Sequence, residues 1–272
     1  MFHTIYPYVI LIFFLVIPPS CKTTTNTNNS DVCIYTEFGT MYVKLYDDTP
    51  IHKTNFLSLT NKHFFDNLLF HRVIPSFMIQ GGDPDSRNAS SGSLLGNGGP
   101  NYTLEAEILP SHFHKRGAIA AAREGDATNP YRRSSGSQFY IVTGRTYTDE
   151  ELDKIENYIQ QQTFYTLYLQ YLDKLKKQEQ KTNQNPDMAL LSVFAHDSAR
   201  MVLSHQPPFK FTSEQRNIYK TIGGAPHLDN SYTVFGEVVQ GMDIADRISR
   251  LERDKNDRPL HDVTMKISPV KK

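Results

Sequence analysis

From Val32 onward the chain alternates. Val32, Ile34, Thr36 and Phe38 share one face, Gly39-Thr40 marks a turn, and Met41, Val43 and Leu45 alternate again. Period-two runs on either side of a glycine predict a β-hairpin. Thr49-Pro50 opens a helix, with proline at the first helical position. Phe56 and Leu59 fall on one face of it, and it runs to about Asn61. Further strands are predicted over Leu69 to Ile74, Phe77 to Gly82, Gly117 to Arg123, Ser137 to Thr143 and Tyr232 to Val239, and a closing one at Val263, Met265 and Ile267. Met242, Ile244, Ala245, Ile248 and Leu251 recur at helical spacing. Many short strands with two short helices predict a mainly β protein, a closed antiparallel barrel with helical caps.

One stretch, residues 145–226, breaks this pattern. Thr148-Asp149-Glu150-Glu151 is a capping box, with threonine at the cap and glutamate three residues on. Acidic residues crowd its start, and Lys174, Lys176 and Lys177 follow at its end, as the helix dipole favours. Met188 to Leu203 reads as a second helix and Ser213 to Lys220 as a third. The strand pattern then resumes at Tyr232. The expectation is a helical insertion within a β domain spanning residues 31–270.

The N-terminus is a different object. Tyr8 to Ile17 is apolar throughout, short for a bilayer span, and fits the central region of a secretory signal over residues 1–20. Pro18-Pro19-Ser20-Cys21 follows, and this resembles a bacterial lipoprotein signal. Cys21 would then be the lipidated residue, residues 21–30 a flexible Thr/Asn-rich tether, and the envelope membrane a partner through the anchor. Only Cys33 remains in the body, where an alternating strand makes it a partly buried or edge residue. Charge balances at 29 basic against 29 acidic residues, which excludes the basic excess that nucleic acid demands. The sequence carries no signal of oligomeric state.

The chemistry concentrates between Phe70 and Asp83. Arg72 precedes the apolar pair Phe77-Met78 and the amide Gln80. An arginine cannot act as a base, yet it offers several fixed donors. A positioned cation beside an apolar surface suits a reaction without a nucleophile, such as twisting the peptide bond before proline.

Four blocks stand in the order of one family: Phe70-His71-Arg72-Val73-Ile74-Pro75, Phe77-Met78-Ile79-Gln80-Gly81-Gly82-Asp83, Gly136-Ser137-Gln138-Phe139-Tyr140-Ile141 and Val234-Phe235-Gly236-Glu237-Val238. Together they resemble the cyclophilins, peptidyl-prolyl cis-trans isomerases. The resemblance implies an eight-stranded barrel capped by two helices, an active groove on its outer face, and clients that are proline-containing polypeptides. It implies no metal and no cofactor. Arg72 resembles the family's catalytic arginine, and Gln80 the amide that orients it. Phe77, Met78, Phe139 and Leu228 resemble the walls of the proline pocket. Ala122 and Gln138 resemble residues of the adjoining groove. Arg123 falls where many members have Asn, His227 where many have Trp, and Tyr232 where many have His. The loss of that Trp implies a weak hold on the family's cyclic-peptide inhibitor, cyclosporin.

Other readings weigh less. His112 and His114 lack a third metal ligand and read as a solvated loop. Gly96-Asn97-Gly98-Gly99-Pro100 lacks the ending of a phosphate loop and reads as a turn. The insertion carries Tyr158, Phe164, Tyr165, Tyr168 and Tyr171, more aromatics than one buried stripe needs. They either pack the helices together or leave an apolar face beside the groove that holds clients. A tethered binding module, with catalysis secondary, is the alternative to an active isomerase.

Overall fold

The computed structural model describes residues 29–181 and 185–270. The apolar run before Cys21, Cys21 itself and most of the tether lie outside the described residues. The chain begins with β1 (Val32–Thr36), β2 (Gly39–Leu45), α1 (Pro50–Asn61), β3 (Leu68–Leu69), β4 (Arg72–Ile74) and β5 (Met78–Gly81). Then come β6 (Thr103–Leu104), β7 (Ala118–Ala121), β8 (Ser134–Ser135) and β9 (Phe139–Val142). The helices α2 (Asp149–Glu179), α3 (Met188–Ser204) and α4 (Ser213–Thr221) follow, and β10 (Val234–Gln240), α5 (Met242–Ser249) and β11 (Thr264–Pro269) complete the fold.

Nine strands form one antiparallel sheet in the order β3-β11-β1-β2-β10-β7-β9-β5-β4, and β6 pairs with β8 apart from it. The two ends of the sheet, β3 and β4, are halves of one segment, Leu68–Ile74, interrupted at Phe70 and His71. The sheet therefore curls until its edges meet within one stretch of chain. Counted as one strand, that segment gives the expected eight. Closure leaves no long open edge for another chain to pair with. The first hairpin turns at Glu37-Phe38, with Thr36 opposite Gly39, so the glycine opens β2 and does not form the turn. Cys33 is buried in β1, which pairs on both sides with β2 and β11, so it is not an edge residue.

Alternation sorts side chains into two layers. Ile34, Met41, Val43, Phe139, Ile141 and Ile267 point into the barrel. Phe56 and Leu59 of α1, and Ile244 and Ile248 of α5, close that core. The outer face of β5, β7, β9 and β10 is buried as well, through Met78, Ala118, Ala120, Tyr140, Val142 and Val234. A sheet covered on both faces reads as continuously apolar, as β7 and β9 do. The alanines of β7 let the segment 225–232 lie close over them.

The insertion leaves the barrel and returns at one point. Arg145 N–H donates to Gly224 O at 3.2 Å, and Gly224 N–H donates to Arg145 O at 2.9 Å. Gly144 has φ +61°, and a Cβ there would stand 2.5 Å from Gly224 Cα, so this crossing needs glycine. The Thr148 capping box forms, with Glu151 N–H on Thr148 Oγ1 at 3.3 Å and Thr148 N–H on the Glu151 carboxylate at 2.9 Å. Leu152, Ile159, Phe211 and Tyr219 make a small core of the insertion's own.

Candidate active groove

Strand register sets the site. Arg72 faces Gln80 across β4–β5, Gln80 faces Tyr140 across β5–β9, and Tyr140 faces Ala120 across β9–β7. Cross-strand partners lie on one face of the sheet. One row on the outer wall thus carries a cation, an amide, an aromatic ring and a gap.

Arg72 Nη1 donates to Gln80 Oε1 at 3.4 Å, and Arg72 Nε lies 3.6 Å from Asp257 Oδ2. Gln80 Nε2 donates to Gln138 Oε1 at 3.1 Å. Gln138 Nε2 in turn donates to Gly96 O at 2.9 Å and Gly98 O at 2.7 Å. This chain of amides anchors the orientation of the guanidinium in the backbone of the glycine loop. The Arg72 side chain remains 41% exposed, so its other N–H groups face the groove mouth. A cavity of about 330 Å³ opens beside it. Phe77, Met78, Ala122, Leu228, Tyr140 and Tyr232 line its apolar part.

Most of the expected residues converge here, but Phe139 does not. It is 1% exposed and meets Phe56, Phe65 and Phe70 inside the barrel. Tyr140 takes the pocket position. In a strand, Gln138 and Tyr140 share a face and Phe139 takes the other; a shift by one residue exchanges core for groove. Gln138 sits behind Gln80 and not at the cavity. His227 lies at the rim, its ring 5.3 Å from that of Phe77, and burial pushes its imidazole below the ordinary histidine value. Arg123 borders the cavity, and its guanidinium is tied into a buried network. Nη1 lies 2.6 Å from Asp126 Oδ1, Nε donates to Ser231 O at 2.8 Å, and the guanidinium stacks 4.4 Å from the Tyr232 ring centroid.

Several neighbours were not anticipated. His71 is buried at the cavity wall, and burial pushes its imidazole down to about 4. Leu94 and Leu95, and Asn97 from the stretch read as a turn, border the mouth, as does Arg258.

His114 is the clearest departure from expectation. It is fully buried, not in a solvated loop. Its Nδ1 donates to Asp229 Oδ1 at 2.7 Å, and its Nε2 lies 3.0 Å from the Tyr140 hydroxyl. The tautomer that donates from Nδ1 to the carboxylate leaves Nε2 to accept a hydrogen bond from the Tyr140 hydroxyl. Tyr219 of α4 donates to Asp229 Oδ2 at 2.5 Å. A buried polar chain therefore runs from the insertion to the pocket wall. Among the described residues no cluster of three or more His, Cys, Asp and Glu is placed to hold a metal ion.

The profile of the family described as cyclophilin type peptidyl-prolyl cis-trans isomerase/CLD matches residues 32–194 and 198–270. A Staphylococcus saprophyticus protein, provisionally named a peptidyl-prolyl cis-trans isomerase, is 27% identical over 248 residues, which cover 91% of this chain and 94% of that one. A Staphylococcus haemolyticus protein of the same provisional name is 26% identical over 253 residues, 93% of this chain and 96% of that one. The crystal structure of a Cryptosporidium parvum cyclophilin type isomerase shares the fold, with a TM-score of 0.51 at 19% identity over 89% of this chain and 98% of that one. A barrel closed through the arginine-bearing segment, an apolar groove on its outside and a profile spanning nearly all of the described residues agree: this chain belongs to the cyclophilin-type peptidyl-prolyl cis-trans isomerase family.

Proposed function

We propose that this isomerase assists the folding of exported or envelope proteins, tethered to a bacterial membrane by lipid on Cys21, with Arg72 as its catalytic residue. The observation that carries the catalytic part is the amide-anchored Arg72 beside an apolar cavity. Rotation about the bond before proline must break amide resonance, a barrier of about 20 kcal/mol. As the prolyl nitrogen pyramidalises it gains a lone pair. A guanidinium N–H aimed at that nitrogen stabilises the twisted form more than the planar one. Phe77, Met78, Tyr140 and Leu228 hold the ring while the preceding carbonyl swings. No covalent step enters. Gln80 and Gln138 are positioning residues, acting through Arg72.

The location rests on the Pro18-Pro19-Ser20-Cys21 pattern after an apolar run. No helix among the described residues is long and apolar enough to cross a membrane. The test has two arms. Arg72→Ala is expected to slow isomerisation of a short X-Pro peptide at least ~10-fold, or ~1.4 kcal/mol of barrier; equal rates would remove Arg72 from the mechanism. Radiolabelled palmitate should mark the full-length protein in a bacterial host and not its Cys21→Ser variant. An unlabelled wild type would overturn the anchor.

A further inference from the structure

A second hollow adjoins the proline cavity. Its volume is about 350 Å³, within the range of roughly 300–1,000 Å³ typical of small-molecule pockets. The two cavities share Arg123, Leu228 and Tyr232 as a common wall. The far side of the hollow is α2, through Tyr158, Ile159, Gln162 and Tyr165. Tyr158 and Tyr165 are two helical turns apart and so lie on one face of α2. Ile159 and Thr166 of that helix are buried, whereas Tyr158 and Tyr165 stay 47% and 43% exposed.

The other insertion aromatics are differently employed. Phe164 packs edge-on against His196 of α3 at 5.2 Å, and the Tyr168 hydroxyl lies 2.9 Å from Ser192 Oγ. These hold α2 and α3 together. Tyr158 faces the hollow, whereas Tyr165, its ring stacked on Tyr168 with centroids 6.3 Å apart, borders both the α2–α3 seam and the hollow. The charges that line the hollow balance, because Arg123 and Asp126 pair with each other at 2.6 Å; Asp126 also meets Arg132 and the Thr166 hydroxyl, which lie outside the lining. Burial by itself would raise the Asp126 carboxyl, but Thr166, Arg132 and Arg123 hold it below the usual carboxylate range. The lining pair leaves no free charge on the wall to select a charged guest, and aromatic walls favour an apolar one.

We propose that this hollow is a second subsite of the client groove, taking a neutral aromatic or large aliphatic side chain that flanks the isomerised proline. Its continuity with the proline cavity identifies the occupant as the same extended polypeptide. The inference rests on reading that cavity as the proline site.

The full-length protein in detergent tests it. Eight-residue peptides with one central proline carry a single Phe scanned through the flanking positions, against Ala at the same place. At one flanking position Phe should lower KM roughly 10-fold with kcat unchanged. Tyr158→Ala with Tyr165→Ala should abolish the preference while a short Ala-Pro peptide keeps its rate within about 2-fold. Gln162→Trp, which fills the hollow from the same helix, should do likewise and covers failure of the double variant to fold. No preference in the wild type, or a preference that survives both variants, overturns the subsite. If the short peptide is not turned over at all, the catalytic reading fails instead, and peptide Kd values read by NMR titration still decide the subsite. A wild type that dimerises by sedimentation, with the double variant monomeric, would make the hollow a contact between copies and overturn the proposal.

Discussion

The barrel and the insertion bury their residues on different terms. In the barrel, strand alternation sends a large apolar set inward, much of it fully buried. In α3, Leu190, Val193, Phe194 and Met201 remain at least half exposed. The insertion has a small apolar core and adds many polar links to it. Arg216 reaches Asp149, Asp153 and Glu156, and the buried Glu156 also takes Lys210 and the Phe211 N–H. Arg132 and Thr166 join α2 to the loop beside the groove, and Tyr219 joins α4 to Asp229. Apolar burial is tolerant of salt and pH; paired charges are not. The groove lies where these two regimes meet.

The largest test of that contrast is Phe139→Ala. If Phe139 belongs to the barrel core, truncation should lower unfolding stability by ~3–5 kcal/mol in denaturant titration. A smaller loss, accompanied by weaker peptide binding, would return Phe139 to the pocket. Tyr219→Phe attacks the link between the regions. It leaves Asp229 Oδ2 without its donor in a buried place, at about 1–3 kcal/mol. If the polar chain holds the pocket wall, short-peptide kcat/KM should fall with it; unchanged kcat/KM would make the link purely structural.

His71 sharpens the contrast through pH. Its folded value of about 4 lies below the ordinary 6.5, so the unfolded chain binds the proton first. Stability is therefore full above about pH 6.5 and declines as pH falls toward 4. Asp83 draws the proton toward the ring while Arg72 and Arg258 oppose it. The loss of stability between pH 7 and 5 should shrink by about 2 kcal/mol in His71→Gln. An unchanged pH profile would remove the imidazole from that account. The smallest expected effect is that of salt. Raising ionic strength should speed amide exchange in α2 and α4 more than in β1 and β2, and uniform behaviour would erase the distinction between the regions.

Much of this architecture was legible before any coordinates. Alternation marked the strands, and Thr49-Pro50 and Thr148 with Glu151 marked helix starts, because these signals are local. The arginine row was legible through its motif. The exchange of Phe139 for Tyr140 was avoidable: once Gln138 is placed on the groove face, period two puts Tyr140 beside it. The burial of His114 was not legible, since its carboxylate partner lies 115 residues away along the chain. Loop residues such as Leu94, and Arg258 near the C-terminus, likewise reach the cavity only through closure of the sheet. The sequence flagged an excess of insertion aromatics; only the structure shows that Phe164 and Tyr168 pack α2 on α3, that Tyr158 faces the hollow beside the groove, and that Tyr165 borders both.

The bridge between Arg145 and Gly224 has a consequence for how such proteins diversify. Because departure and return are pinned together, the detour between them can change length without disturbing strand register, and each doubling of a loop adds only about 0.6 kcal/mol of closure entropy. Yet the junction is not free throughout. Tyr219 and the turn at Pro226–Leu228 belong to the groove's own support, so excising the whole stretch would damage the groove wall. The exchangeable cassette is α2 with α3, with Asp149, Leu152, Asp153, Glu156 and Ile159 kept, because these pack on or pair with α4 and its approach. Chimeras that trade this hairpin between relatives should carry client preference with them and leave the arginine row behind, unaltered, as a common engine.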